Sequence, residues 1–220
     1  SPGFLLTNAQ KAIMDQVYDS FWGSRRAMQT AQYWSSNQYS NESRYQYRET
    51  TANSAWAAMY AGPLQDLQTI IDLNSGDAAA DYAGYGDNGN QIAVAKILQA
   101  WTFQHLTDAF GDIPMSAALK GGDDTAPSYD SQADVYAGLL TLLNDAMASM
   151  TNGSGPQGDQ VYGGNMDQWM KFANSLKLRV AMRMADVNGA AAQAAAEAAL
   201  GSGTIIAGNE DNALFNYLAG

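Results

Sequence analysis

Apolar residues recur along this chain at helical spacing. Leu6, Ala9, Ile13, Val17 and Phe21 keep close to a 3.6-residue period, which predicts a helix over 5–22. Gly23 is expected to stop it, and Ser24 to cap a second helix reaching Trp34. Residues 51–74 return to the period through Ala55, Met59, Leu67, Ile70 and Ile71. Pro63 interrupts them, so a kink or two abutting helices is expected. From Ile92 to Phe110 apolar residues cover almost every side, the mark of a buried helix. Ser131 and Asp134 form a capping box before the Tyr136–Met150 pattern, and Asn165 with Gln168 opens the stripe Trp169, Phe172, Ala173, Leu176, Val180 and Met184. An alanine-rich helix follows over 190–200.

Polar stretches separate these patterns. Residues 75–90, 115–129 and 151–164 are rich in Gly, Asp and Asn and read as loops. Residues 203–218 are mixed: Thr204–Ala207 suits a short extended piece, and Asn212–Leu218 the start of a helix. The segment 35–50 differs from the other loops. It has no helical period and interleaves Tyr39, Tyr45 and Tyr47 with Asn41, Arg44 and Arg48. A loop of this length in a compact domain is functional or disordered, and its aromatic content argues against disorder. No alternating pattern is long enough for a sheet core. The predicted fold is all-α, built of tetratricopeptide-like antiparallel helix pairs with long inserted loops. Trp101 and Trp169 lie two 34-residue units apart, a minor point given the uneven loops.

Composition narrows the functions. The chain has 220 residues, 15% of them charged, no cysteine and a formal net charge of −11. A nucleic-acid backbone would be repelled. Disulfides and thiolate metal sites are excluded. No run of 18 apolar residues is present to span a membrane.

Candidate chemistry is sparse. Asp108 and Asp112 offer a carboxylate pair for glycoside hydrolysis. The preferred reading is structural, because an Asp beside a helix end followed by Gly and Pro suits a tight turn. Arg179 and Arg183 share a helix face. They are expected to bridge to Asp108 or Asp112 rather than to hold an anion. His105, the one histidine, sits on an apolar stripe and reads as a satisfied core residue. No nucleophile elbow, phosphate loop or zinc motif is present. No cofactor is expected, although Gly86–Asn90 and Gly121–Asp124 carry oxygens that suit calcium without EF-hand spacing. Trp22, Trp56, Trp101 and Trp169 are expected in the core. The loop set Tyr39, Asn41, Arg44, Tyr45, Tyr47 and Arg48 is the candidate ligand site: tyrosines stack on the apolar face of a sugar while Asn and Arg bond its hydroxyls. Packing of the same tyrosines onto the body is an equal alternative.

Three motifs in order resemble the SusD/RagB family, and its SusD-like starch-binding branch in particular. They are Leu106–Pro114 (LTDAFGDIP), Pro127–Tyr136 (PSYDSQADVY) and Trp169–Arg183 (WMKFANSLKLRVAMR). Ala31–Trp34 and Glu42–Tyr45 are similar to the same branch. The resemblance implies an all-α scaffold, lipid-anchored on the outer face of the outer membrane in Bacteroidota-type bacteria. It implies non-catalytic capture of glycans, or in some members peptides, for a SusC-like TonB-dependent transporter. Family members are longer, so residues 1–220 are expected to form the N-terminal part of a single SusD-like domain, with the anchoring cysteine absent from this chain. A glycoside hydrolase using Asp108 and Asp112, and a helical-repeat interaction scaffold, are the alternative readings.

Overall fold

Helix α5 (Asn88–Phe110) runs through the middle of the molecule. Ala93, Val94, Ile97, Leu98, Ala100 and Phe103 are all buried, around its whole circumference. The all-round apolar pattern therefore marks a helix with neighbours on every side. This computed structural model describes residues 1–18, 20–124 and 126–217. The remaining helices are α1 (Pro2–Tyr18), α2 (Glu49–Met59), α3 (Gln65–Ser75), the short α4 (Ala79–Tyr82), α6 (Gln132–Ser149), α7 (Met166–Met184) and α8 (Gly189–Gly201). Packing of α5 on α6, α3 and α7, of α1 on α3, and of α7 on α8 makes one helical core. Among the described residues the only strand-like pairing is an isolated antiparallel bridge between Ile113 and Asp130. The all-α expectation holds.

Hydrogen bonds fix the antiparallel pairing of α5 and α6. At one end, Asp112 at the foot of α5 accepts from the Gln132 amide that opens α6 (2.8 Å), and Gln132 Nε2 donates to Thr107 O (2.8 Å). At the other, Asn90 in the first turn of α5 donates to Gly153 O (3.1 Å) and accepts from the Thr151 amide (2.9 Å), just beyond the end of α6. The expected caps form. Ser131 Oγ accepts from the Asp134 amide and donates to its carboxylate, and Asn165 accepts from the Gln168 amide.

Several boundaries differ from the sequence reading. The first helix is described to Tyr18, and Gly23 stands inside a π-helical stretch, Ser20–Met28, whose wider turns bring the chain onto itself. A Cβ at Gly23 would lie 2.2 Å from Val17 O, so glycine permits the close turn instead of ending it. The side chains of Phe21, expected on the first stripe, and of Ser24, expected as a cap, lie outside the described part. Gln32, at φ 62°, ends the helical run. A π-helical turn, Tyr60–Leu64, absorbs Pro63 between α2 and α3, as the expected interruption requires.

Helix α5 starts at Asn88, earlier than expected, because Asp87 accepts the Gly89 amide at 2.9 Å and caps it. Residues 75–90, read as loop, therefore hold α4 and this first turn. The stretch 212–217 is not helical, and Leu218 lies outside the described residues. Tertiary contact decides there: Tyr217 donates to Asp15 (2.7 Å), and Phe215 covers a groove walled by Trp101 and Trp169.

Asp159 ties the lower half together. It is 7% exposed, and its carboxylate accepts from Gln10 Nε2 (2.7 Å), Trp169 Nε1 (2.7 Å) and the amides of Val161, Tyr162 and Gly164. It thus joins α1, the loop before α7 and α7 itself. Removing a buried acceptor strands its donors. Asp159→Ala is expected to destabilise the fold by about 3–5 kcal/mol, and Trp169→Phe by about 1–3 kcal/mol. Urea unfolding monitored by circular dichroism measures both; a loss below about 1 kcal/mol for Asp159→Ala would remove its anchoring role.

Candidate functional site

The tyrosine loop is built from within. Gln29, at the end of the π-helical stretch, is buried and accepts from Ser43 Oγ (2.8 Å). Glu42 is 2% exposed and takes Arg48 Nη2 on Oε1 at 3.2 Å. The first contact holds the loop against the body, and the second ties the middle of the loop to its end. Tyr39 and Tyr45 sit in the left-handed region, at φ 57° and 59°. Few tyrosines adopt that conformation, which persists only where surrounding bonds enforce it. For Tyr45 those bonds are visible. Its amide donates to Glu42 O (3.1 Å), its hydroxyl donates to Thr30 O (3.1 Å) and accepts from Gln32 Nε2 (2.9 Å).

The rings are presented to solvent. Tyr39, Tyr45 and Tyr47 are 59%, 51% and 39% exposed. Tyr45 and Tyr47 meet edge to face with centroids 6.3 Å apart, and the Tyr47 hydroxyl bonds Thr30 Oγ1 (2.9 Å). The Arg26 guanidinium lies 4.0 Å from the centre of the Tyr47 ring, and Arg25 lies 4.7 Å from that of Tyr39. Each cation braces one face of a ring. So Tyr45 and Tyr47 form one cluster with Arg26, and Tyr39 stacks with Arg25. Asn41 and Arg44 bond each other (3.4 Å), and Arg48 is held by Glu42 rather than by the aromatics.

The sequence reading missed the partners that brace these rings: Arg25, Arg26, Thr30 and Gln32. Their signal was faint, since the Arg25–Arg26 pair precedes the loop within an expected helix.

A row of aromatics continues from this cluster. Arg26 also lies 5.8 Å from the Trp22 ring. Trp22 stacks on Phe110 (5.5 Å, 19°), Phe110 meets Trp56 edge-on (5.1 Å), and Trp56 stacks on Tyr129 (5.9 Å, 18°). Tyr129 is 64% exposed, and Trp22, Phe110 and Trp56 are half-buried. Trp101 and Trp169 are core residues as expected, but Trp22 and Trp56 are not. They form a half-buried band at the edge of the core, where Trp56 of α2 meets Phe110 at the end of α5.

Comparison with known proteins gives this arrangement a lineage. The family described as starch-binding and associating with the outer membrane matches residues 1–220. The chain belongs to the SusD-like family. A solved chitin-binding protein is 30% identical over 97% of this chain and 45% of its own length, with a TM-score of 0.82. A SusD homologue from Bacteroides thetaiotaomicron is 27% identical over 99% of this chain and 44% of its own, TM-score 0.78. A chitin-binding SusD homologue from Flavobacterium johnsoniae is 27% identical over 76% and 34%, TM-score 0.64. This chain therefore spans less than half the length of each. A search of curated proteins returns no match.

Within this SusD-like scaffold the family motifs do structural work. Asp108 accepts the Tyr136 hydroxyl and pairs with Arg183 at 3.2 Å. Asp112 caps α6 instead of pairing with an arginine. Burial, followed by the Asp108 hydrogen bond, raises the Tyr136 hydroxyl to about 12, so it stays a donor. Asp87 of Gly86–Asn90 is engaged in capping α5. Among the described residues no three His, Cys, Asp or Glu side chains gather to hold a metal ion, and no helix is long and apolar enough to cross a membrane.

His105 is the satisfied core residue expected: Nδ1 lies 3.0 Å from Trp101 O and its ring meets the Trp101 ring edge-on. Burial first, then the nearby Arg179 and Arg183, hold it below its usual value despite the Trp101 carbonyl. The unfolded chain therefore takes up this proton at higher pH than the fold does, and His105 removes stability as pH falls below about 6.5. As the chain has one histidine, a single imidazole resonance should titrate below that value in NMR, and His105→Asn should flatten the pH dependence of unfolding between about pH 7 and 5. A resonance titrating at or above the free-histidine value would contradict this.

Proposed function

We propose that this chain contributes the tyrosine-loop contact of a non-catalytic glycan-capture protein. The observation that carries the reading is the exposed Tyr45–Tyr47 pair, fixed by Thr30 and Gln32 and backed by Arg26. Rings held this way lose little conformational freedom on binding, and their open faces match the C–H face of a pyranose. Tyr39, Asn41, Arg44 and Arg48 border the pair and supply a further stacking face and hydrogen-bond donors. The family's description as starch-binding and the chitin-binding relatives support an oligosaccharide over a peptide as the ligand. We extend the reading to the whole protein: a lipid-anchored lipoprotein on the outer face of the outer membrane that delivers its ligand to a SusC-like TonB-dependent transporter.

No catalytic step belongs to this reading. The carboxylates that a glycosidase needs are engaged in pairing Arg183 and Tyr136 and in capping α6. No cofactor or calcium is required either, because stacking and neutral hydrogen bonds carry the contact.

Isothermal titration with maltohexaose and chitohexaose tests the site. Tyr47→Ala and Tyr45→Ala should each weaken binding about tenfold, ~1.4 kcal/mol, with the thermal midpoint nearly unchanged. Retention of full affinity in the double variant would move the site elsewhere. Two controls accompany it. EDTA should leave affinity unchanged, and a loss would restore calcium to the site. Asp108→Asn should lower stability by about 1–2 kcal/mol without altering release of reducing ends from either hexasaccharide; hydrolysis that disappears in this variant would revive the glycosidase reading.

A further inference from the structure

A second groove lies away from the tyrosine loop, where α3 and α5 meet the loop that follows α5. Its volume is about 650 Å³, within the range of small-molecule clefts. One wall is polar. Gln65, Gln68 and Asp72 project from a single face of α3, and Gln99 joins them from α5. Gln99 is 3% exposed; its Nε2 donates to Gln68 Oε1 (3.2 Å), and Gln68 Nε2 in turn donates to Asp72 Oδ1 (2.8 Å).

This chain of bonds leaves groups unspent. Gln99 Oε1 and Asp72 Oδ2 accept no hydrogen bond among the described residues, and the side chains of Gln65 and Lys120 have no partner among them. An amide that spends only part of its hydrogen-bonding capacity on the wall of a cleft has the rest free for a partner in the cleft.

The rest of the lining is mainly apolar, with Phe103 next to Gln99 on the same face of α5 and Met115, Leu119 and Leu142 around them. Leu119 is held at φ 65°, an unusual conformation, and both it and Lys120 line the groove. Asp72 and Lys120 contribute opposite charges, so the groove favours neither an anion nor a cation.

We propose that this groove is a second carbohydrate-binding site, taking a neutral pyranose unit. Such a ring offers hydroxyl donors and acceptors at its edge and C–H groups on its faces, matching the polar wall and the apolar lip. Gln99 Oε1 and Asp72 Oδ2 accept from hydroxyls, Gln65 and Lys120 donate to them, and Phe103, Met115 and Leu119 cover the ring. The proposal rests on the glycan-capture reading only for the choice of probes.

The test is two-dimensional NMR titration of this chain with maltohexaose and with chitohexaose, in the wild type, in Tyr45→Ala/Tyr47→Ala and in Gln65→Ala/Asp72→Ala. Gln65 and Asp72 lie on the outer side of α3, and an unchanged dispersion of amide signals checks that the variant folds. With at least one sugar the amides of Leu119, Lys120 and Gly121 should shift in the wild type and in the tyrosine variant. Gln65→Ala/Asp72→Ala should weaken that response at least about tenfold while shifts in residues 30–48 persist. Groove amides that stay still while the tyrosine loop responds would overturn the second site and leave the first. Groove shifts unaffected by Gln65→Ala/Asp72→Ala would overturn it too. Groove shifts without any loop response would support the groove and remove the tyrosine loop. Silence of both regions to both sugars would overturn both.

Discussion

Helix α5 is buried along most of its length and open to solvent mainly at Asp108 and Ala109 near its end, so most polar side chains on it must find their partners inside the protein. This constraint turns its polar residues into staples. Asn90 reaches the carbonyls that follow α6; Gln91 donates to Tyr82 O (3.0 Å) and Gly86 O (2.8 Å); Gln99 holds Gln68 on α3. Thr102 and Thr107 return to backbone carbonyls of their own helix end or turn. Gln104 is the exception: both atoms of its amide are buried without a partner among the described residues. Apolar burial supplies the stability of such a core, but these bonds select which neighbour goes where, because a misplaced helix would leave a buried amide unpaired.

The ends of α5 set the rest of the layout. At its start, Asp87 caps the helix while Gly89 brings the backbone close to the end of α6, where a Cβ would lie 2.3 Å from Ser149 O. At its finish, Phe110 meets Trp56 of α2, and Tyr60 of the following π-helical turn donates to Pro114 O at 2.6 Å. Asp130 then bonds the Met115 and Ser116 amides and the Ser116 hydroxyl. Burial opposes its charge, but these donors outweigh it and hold the carboxyl below the usual range. The motifs that mark the family are thus the residues that terminate α5, start α6 and form the body of α7, and the contacts seen for them are those of the fold.

Legibility in the sequence follows the same division. The α5, α6 and α7 stripes were readable because burial writes its period directly into the chain, and the Ser131 and Asn165 caps because their chemistry is local. The π-helical stretch at Ser20–Met28 was not, because Gly23 has the same appearance whether it ends a helix or admits a close backbone contact. The 212–217 segment was misread because Tyr217 is fixed by Asp15, far away in sequence, and Phe215 meets the Tyr217 ring edge-on. The tyrosine loop was visible by composition alone. Its Arg25 and Arg26 braces, and the row Trp22–Phe110–Trp56–Tyr129, depend on where α2 meets the end of α5. No local pattern encodes that meeting. The Gln68–Gln99 groove was hidden for the same reason: its polar wall joins residues from two helices.

The two polar-aromatic surfaces share a mechanical origin. Phe110 belongs to α5 and stacks with Trp22 next to Arg26, which braces Tyr47; Phe103, about two turns earlier on the same helix, meets Tyr60 at 6.2 Å and lines the groove. Contact surfaces at both places are therefore referenced to the most deeply buried helix, although they are built on irregular segments with left-handed residues at Tyr39, Tyr45 and Leu119. Rigidity matters more here than charge. On the proposed glycan-capture reading, a chain with a net charge of −11 would exert no long-range pull on a neutral sugar, so affinity would come from contact alone, and rings ordered before the ligand arrives would keep the entropic cost of that contact low.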